Sequence, residues 1–227
     1  MHLYLKNEFT YAICKMVTLE KKRKQYEMAE LRRKDLLEAP VDMFRTWFEK
    51  IEDLDHIEPD AAILSTSSKK GKPSSRTVLV KDFDERGFVF YTNYKSKKGQ
   101  EIEVNPYGTL IFYWQDFERQ VRIQGKIRKI SRKQSEKYFH SRPRLSQISV
   151  LASHQSQNLD SREELEQRVK KFEKMYKGKE IPLPDYWGGY RLEHRNIEFW
   201  QGRRDRLHDR FVYTQNGTIW QIERLAP

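Results

Sequence analysis

Cysteine is nearly absent from this sequence: Cys14 is the only one in 227 residues. A single thiol cannot close an intramolecular disulfide or build a Cys-rich zinc site, so the chain fits a reducing compartment. Also missing is any apolar run of the roughly 20 residues that a helix needs to cross a bilayer. There is no internal repeat and no low-complexity tract. The histidines are scattered; His56, His140 and His194 stand alone, read as structural or exposed, and show no metal-ligand spacing.

Aromatic residues and positive charge are plentiful. Twelve Phe, twelve Tyr and five Trp argue for a packed core, because disordered chains are poor in aromatics. Lys and Arg number 44 against 33 Asp and Glu, a net charge of +11 that draws anionic partners without choosing among nucleic acid, phosphorylated metabolites and acidic membrane. The length suits one compact domain with an arm. The basic residues 1–24 fit a weak targeting segment, a mobile arm or a non-native start, and the sequence leaves these open.

Apolar residues at Val41, Phe44, Trp47, Phe48 and Ile51 recur with a period near 3.6 behind Pro40, which predicts an amphipathic helix. From Ala61 the pattern changes to short β-rich runs: 61–66, 76–81, 87–92, 109–114 and 119–130, separated by turn signals. Helices are predicted at 131–141, after Ser146 and at 161–176, where Ser161 and Glu164 form a capping-box signature. Strands resume at 189–201, 207–214 and 218–224, the last two joined by the hairpin signal Gln215-Asn216-Gly217. Strands on both sides of a helical insertion, without βαβ alternation, predict a mainly β fold with peripheral helices (α+β), built as a β-barrel.

Several clusters invite anions. As an extended strand, Arg206-Leu207-His208-Asp209-Arg210 would set Arg206, His208 and Arg210 on one face, where three cations repel unless negative charge sits among them; a solvated edge strand is the competing reading. Tyr138 and Arg142 share a helix face before Pro143, and Ser146 can cap the next helix, so a phosphate could find a guanidinium, a phenol, a hydroxyl and free amides; ordinary capping beside a surface arginine is the alternative. Arg76 and Lys81 bracket an apolar strand, and their odd separation puts them on opposite faces unless a bulge intervenes. Ser96-Lys97-Lys98-Gly99 follows the next strand across a short loop. Gln120 and Arg122 share a strand face on which an amide could pair with a planar heterocycle. Trp200 reads as a core aromatic.

Taken in order, ten blocks resemble the pyridoxamine 5′-phosphate oxidase family. They are Arg76-Thr-Val-Leu-Val-Lys81, Phe90-Tyr91-Thr92-Asn93, Ser96-Lys97-Lys98, Arg119-Gln120-Val121, Tyr138-Phe139-His140-Ser141-Arg142-Pro143-Arg144, His154-Gln155-Ser156, Trp187-Gly188-Gly189, Glu198-Phe199-Trp200-Gln201-Gly202, Arg206-Leu207-His208-Asp209-Arg210 and Arg224-Leu225-Ala226-Pro227. The resemblance runs from about Arg23 to Pro227, with the Arg206–Arg210 block and the terminus its most specific parts.

The resemblance implies an FMN-binding split β-barrel, homodimeric, with FMN in clefts between subunits. Residues 1–38 would be an arm, partly mobile and covering the active site, and 39–227 the barrel domain. Implied FMN contacts are Arg76, Lys81, Tyr91, Thr92, Ser96, Lys97, Lys98, Gln120, Gln155, Ser156, Trp200 and Arg210. Implied substrate contacts are Arg23, Tyr26, Lys81, Tyr138, Arg142, Ser146, Arg206 and His208, with Arg206 and His208 nearest the chemistry. The implied reaction oxidises pyridoxamine 5′-phosphate or pyridoxine 5′-phosphate to the aldehyde, with O2 as acceptor and H2O2 as product, in vitamin B6 metabolism. Lys97 stands where the family usually has arginine, which loses the bidentate fork for phosphate. Ser149 and Leu151 replace a usual glycine and a larger residue. No nucleic-acid or membrane partner is expected. The cytoplasm is the expected compartment, with organellar targeting by the N-terminal segment left open. A non-catalytic flavin- or B6-phosphate-binding barrel is the alternative, since fold does not fix function.

Overall fold

The computed structural model describes residues 25–52 and 58–227. The apolar stripe behind Pro40 forms helix α1 (Pro40–Glu52), which buries Val41, Met43, Phe44, Trp47 and Ile51. The Phe44 ring meets Phe83, Phe88 and Phe112 edge-on, each at 4.9 Å between centroids, an arrangement that suits the opposed charge of aromatic faces and edges. One face of α1 is thereby sunk into the main core.

The strands are β1 (Ala61–Ser67), β2 (Pro73–Asp84), β3 (Gly87–Asn93), β4 (Tyr107–Trp114), β5 (Arg119–Lys129), β6 (Trp187–Gln201), β7 (Asp209–Asn216) and β8 (Ile219–Leu225). All pairings are antiparallel, in the order β3-β2-β1-β4-β5-β6-β7-β8, and a further pairing of β3 with β6 closes the first six into a barrel. Closure removes exposed sheet edges. Strand β6 makes this possible by changing neighbours: Trp187–Leu192 pairs with β3, whereas Asn196–Gln201 pairs with β7, which carries the β7–β8 hairpin beyond the barrel. The register shifts at Gln124/Gly125, where a Cβ on Gly125 would lie 1.9 Å from the Glu193 carbonyl oxygen. Only glycine fits there.

Four more helices are inserted between strands: α2 (Lys97–Val104) between β3 and β4, and α3 (Arg132–Ser141), α4 (Arg144–Ala152) and α5 (Arg162–Met175) between β5 and β6. Ser131 and Ser161 cap α3 and α5, accepting from the Gln134 and Glu164 amides. A second apolar cluster of Phe139, Ile148, Val150, Ile181, Leu183 and Trp187 seats α3 and α4 against the start of β6.

The structure corrects the sequence reading in three places. Lys97–Val104 is a helix capped by Ser96 where the sequence reading placed no element; with only eight residues and a basic start, its apolar periodicity is weak. Ser146 is the third residue of α4, whose cap position is held by Pro143, so it does not cap that helix. Strand β7 starts at Asp209, and Arg204–Arg206 is a 3-10 turn. The alternation that would align Arg206, His208 and Arg210 on one strand face therefore does not apply.

Candidate active site

At one end of β6, Tyr91 of β3, Tyr138 of α3 and Trp187 of β6 stack as three near-parallel rings: Tyr91–Tyr138 centroids are 3.7 Å apart and Tyr91–Trp187 5.7 Å. They line a cavity of about 770 Å³ together with Lys81, Thr92, Arg142 and Gln155. The Arg142 guanidinium lies 5.0 Å from the centre of the Trp187 ring, and its buried Nη1 has no hydrogen-bond partner. Burial lowers the Arg142 pKa from its ordinary value, and burial first among causes pushes the Tyr91 phenol up to about 12. A positive group buried without a full set of acceptors favours an anion.

Around Thr92 the polar contacts form a chain. Thr92 Oγ1 donates to Gln155 Oε1 at 3.1 Å and accepts from Lys98 Nζ at 3.2 Å, and the Asn93 amide also donates to Gln155. Lys98 is 6% exposed, and no carboxylate lies within ion-pair distance of it among the described residues. Desolvation first, then the nearby Arg76 charge, lowers its pKa to about 8. Arg76 is itself held by Thr66, Ser74 and Glu101, the last at 3.3 Å. Lys81 pairs with Asp60, beside a register shift at Val80/Asp82. That irregularity is the device needed to break the strict alternation between Arg76 and Lys81. Ser96 is buried at the cap of α2 and Lys97 is exposed on its first turn. Ser156, exposed, has a left-handed backbone (φ 70°).

The remaining implied residues gather at the other end of β6. Gln120, Trp200 and Arg210 are direct cross-strand neighbours on β5, β6 and β7. Glu198 accepts from Arg210 Nε at 2.7 Å and also pairs with Arg122. The Trp200 ring is half-buried and not in the core; it lies 4.6 Å from His208 and 5.8 Å from Tyr26 between centroids. His208 Nδ1 accepts from the Arg203 amide at 3.1 Å, and desolvation, Arg206 and Arg210 lower its pKa. Arg206 is exposed. Arg23 lies outside the described residues.

In one protomer the implied residues therefore fall into two groups, one toward each end of β6. Trp187 and Trp200 are thirteen residues apart on β6, or roughly 40 Å of extended chain. Ser146, half-buried on the first turn of α4, follows Arg142 by four residues across the extended link between α3 and α4. Sequence reasoning missed Glu198, whose position two before Trp200 on the same strand face was the available signal. It also missed Arg162, Glu166 and Lys170 of α5, which wall the cavity but whose pattern is that of any solvated helix.

A closed six-stranded antiparallel barrel with an appended hairpin places the chain in the FMN-binding split-barrel class. The family profile described as pyridoxamine 5′-phosphate oxidase matches residues 49–176, and that of the pyridoxine 5′-phosphate oxidase C-terminal dimerisation region matches 187–227. This chain belongs to the pyridoxamine 5′-phosphate oxidase family. Curated relatives called pyridoxine/pyridoxamine 5′-phosphate oxidase include one from Psychromonas ingrahamii, 50% identical over 83% of this chain and 87% of its own. Another, from Paraburkholderia xenovorans, is 48% identical over 93% of this chain and 100% of its own. Among solved structures, PhzG from Burkholderia lata 383, in complex with tetrahydrophenazine-1-carboxylic acid, superposes with a TM-score of 0.83 at 28% identity, covering 90% of this chain and all of that one.

Proposed function

We propose that this protein is an FMN-dependent oxidase that converts pyridoxamine 5′-phosphate and pyridoxine 5′-phosphate to pyridoxal 5′-phosphate. For the amine, substrate, O2 and water give aldehyde, ammonia and H2O2. The observation that carries this reading is a pair of cations without carboxylate partners among the described residues, buried Lys98 bonded to Thr92 and half-buried Arg142 against the three-ring stack, its Nη1 buried and unpartnered. Two phosphorylated planar molecules need such a set of contacts, one cation for each phosphate and aromatic walls for the rings.

The residues present fit FMN. Lys98, with Arg76, Ser96, Lys97 and Thr92, would hold its phosphate at the start of α2, where Lys97 supplies charge without an arginine fork. Gln155, Ser156, Lys81 and Tyr91 would flank it from the same protomer, and Gln120, Trp200 and Arg210 from the partner. Bound FMN supplies a two-electron acceptor for the substrate hydride, and O2 restores the oxidised form.

The work of the chain is alignment. Tyr138, Arg142, Ser146 and Lys81 would bind the substrate phosphate, far from the reacting carbon, so that remote binding energy fixes the ring. Arg206 and His208 of the partner, with Arg23 and Tyr26 of the arm, would close over the other face. With Nδ1 accepting from Arg203, neutral His208 carries its proton on Nε2 and donates there, which makes it a binding group and not a base. The separation of the two groups along β6 and the matched dimerisation region support a homodimer whose sites each draw on two chains. The Arg23–Tyr26 segment as a cover and the cytoplasm as the compartment belong to the same proposal.

The test is aerobic incubation of purified, FMN-loaded protein with pyridoxamine 5′-phosphate, following aldehyde and peroxide together. Both are expected in equal amounts. A flavin-loaded protein that forms neither would support the non-catalytic binding alternative.

A further inference from the structure

Arg206 sits on strained backbone. Asp205 and Arg206 have φ of 55° and 62°, two consecutive non-glycine residues in the left-handed region, a backbone state that a Cβ disfavours. Such a turn persists only where its surroundings hold it, and the described part of the N-terminal arm supplies that hold. Gln25 accepts from the Asp205 amide at 3.0 Å, and its own amide nitrogen donates to Asp205 Oδ1. Glu27 accepts from Arg204 Nε at 2.7 Å, and Glu30 from Arg203 Nη2 at 2.8 Å. Asp209, at the far end of the loop, accepts from the Leu31 amide and from Arg203 Nη1. All three residues ahead of Arg206 are gripped by the arm, while Arg206 is exposed and makes no ion pair among the described residues.

We infer that Gln25 and Glu27 are positioning residues that hold the Asp205–Arg206 turn in its left-handed form, so that Arg206 is presented to the site. This rests on the role proposed above for Arg206. The Gln25 and Glu27 contacts are exposed, and exposed ion pairs stabilise little. Their contribution is geometric: they select one backbone state of a short loop, whereas an arm acting only as a cover would exclude solvent and leave the loop unchanged.

The test uses the FMN-loaded Gln25→Ala/Glu27→Ala double variant. Expected are a thermal midpoint and FMN content close to wild type, a fall in kcat/KM of roughly tenfold, as a slight misplacement of an aligning group produces, and faster tryptic cleavage after Arg203, Arg204 and Arg206. Adding Asp205→Gly, which tolerates positive φ without strain, should restore most of the lost kcat/KM. Unchanged kcat/KM and cleavage in the double variant, or a loss that glycine does not repair, would overturn the inference. Wild-type turnover separates the readings: without it the proposed function fails, while the cleavage pattern still reports on the arm.

Discussion

An ammonium buried without a carboxylate opposes folding, and Lys98 is such a group. Lys98→Met should therefore leave the apoprotein at least as stable as wild type while weakening FMN binding by about 10- to 100-fold, the worth of a charge-assisted hydrogen bond. Parallel thermal melts and FMN titrations would show the two effects with opposite sign; equal losses in both would assign Lys98 to the fold alone. Arg206→Met should lower kcat/KM by roughly 100-fold with FMN content intact, and loss of both together would reject its separation from the cofactor. His194 gives a pH signature independent of the site. Burial holds its pKa at about 4 in the fold, against an ordinary 6.5, and its buried Nδ1 has no partner. The neutral form is the folded one, so its contribution is complete above pH 6.5 and is lost as pH falls from 6.5 toward 4, on the order of 3 kcal/mol in all. As pH is lowered from 7 to 4.5, urea midpoints should fall steeply for wild type and less for His194→Leu.

Among the elements, β6 organises the molecule because one strand serves both the barrel and the hairpin. Its bulge against Gly125 allows the change of partners. Gly125→Ala should cost about 3 kcal/mol or more, since a Cβ there meets backbone and not a flexible side chain; a denaturant midpoint near wild type would show that the two strands can part. The helices and strands with strong periodicity, α1 and β1 to β5, were legible as apolar spacing, and α5 as a capping signature. Helix α2 was not, because its signal is one serine and one turn of mixed residues. The start of β7 was misread because alternation in Arg206–Arg210 is also what a turn followed by a strand produces. Only the left-handed backbone at Asp205 and Arg206 distinguishes the two, and no residue type announces it there.

For the whole molecule, the two groups of implied residues make a prediction that no single-chain site shares. Arg142 lies beside Trp187 at one end of β6 and Arg206 in the turn beyond its other end, so under the proposed function each complete site would take Arg142 from one chain and Arg206 from the other. Arg142→Ala should raise KM through weaker phosphate binding, and Arg206→Met should lower efficiency. Unfolded, mixed in equal amounts and refolded with FMN, the two impaired variants, assayed at substrate concentrations well below KM, should recover about a quarter of wild-type kcat/KM, because half of the dimers are mixed and each of those has one intact site. A site built within one chain would recover none.

The sequence alone determined the mainly β class, the main helices and the family, because apolar period, turn chemistry and ordered motifs are local properties carried by neighbouring residues. It also supplied the identities of the anion-seeking residues. Tertiary structure decided which of them meet: it sent Lys98 into a buried place without a carboxylate, divided the implied site between the two ends of β6, and put the arm against the Arg206 turn. Those outcomes depend on strand order and closure, which join residues distant along the chain, and no local pattern encodes them.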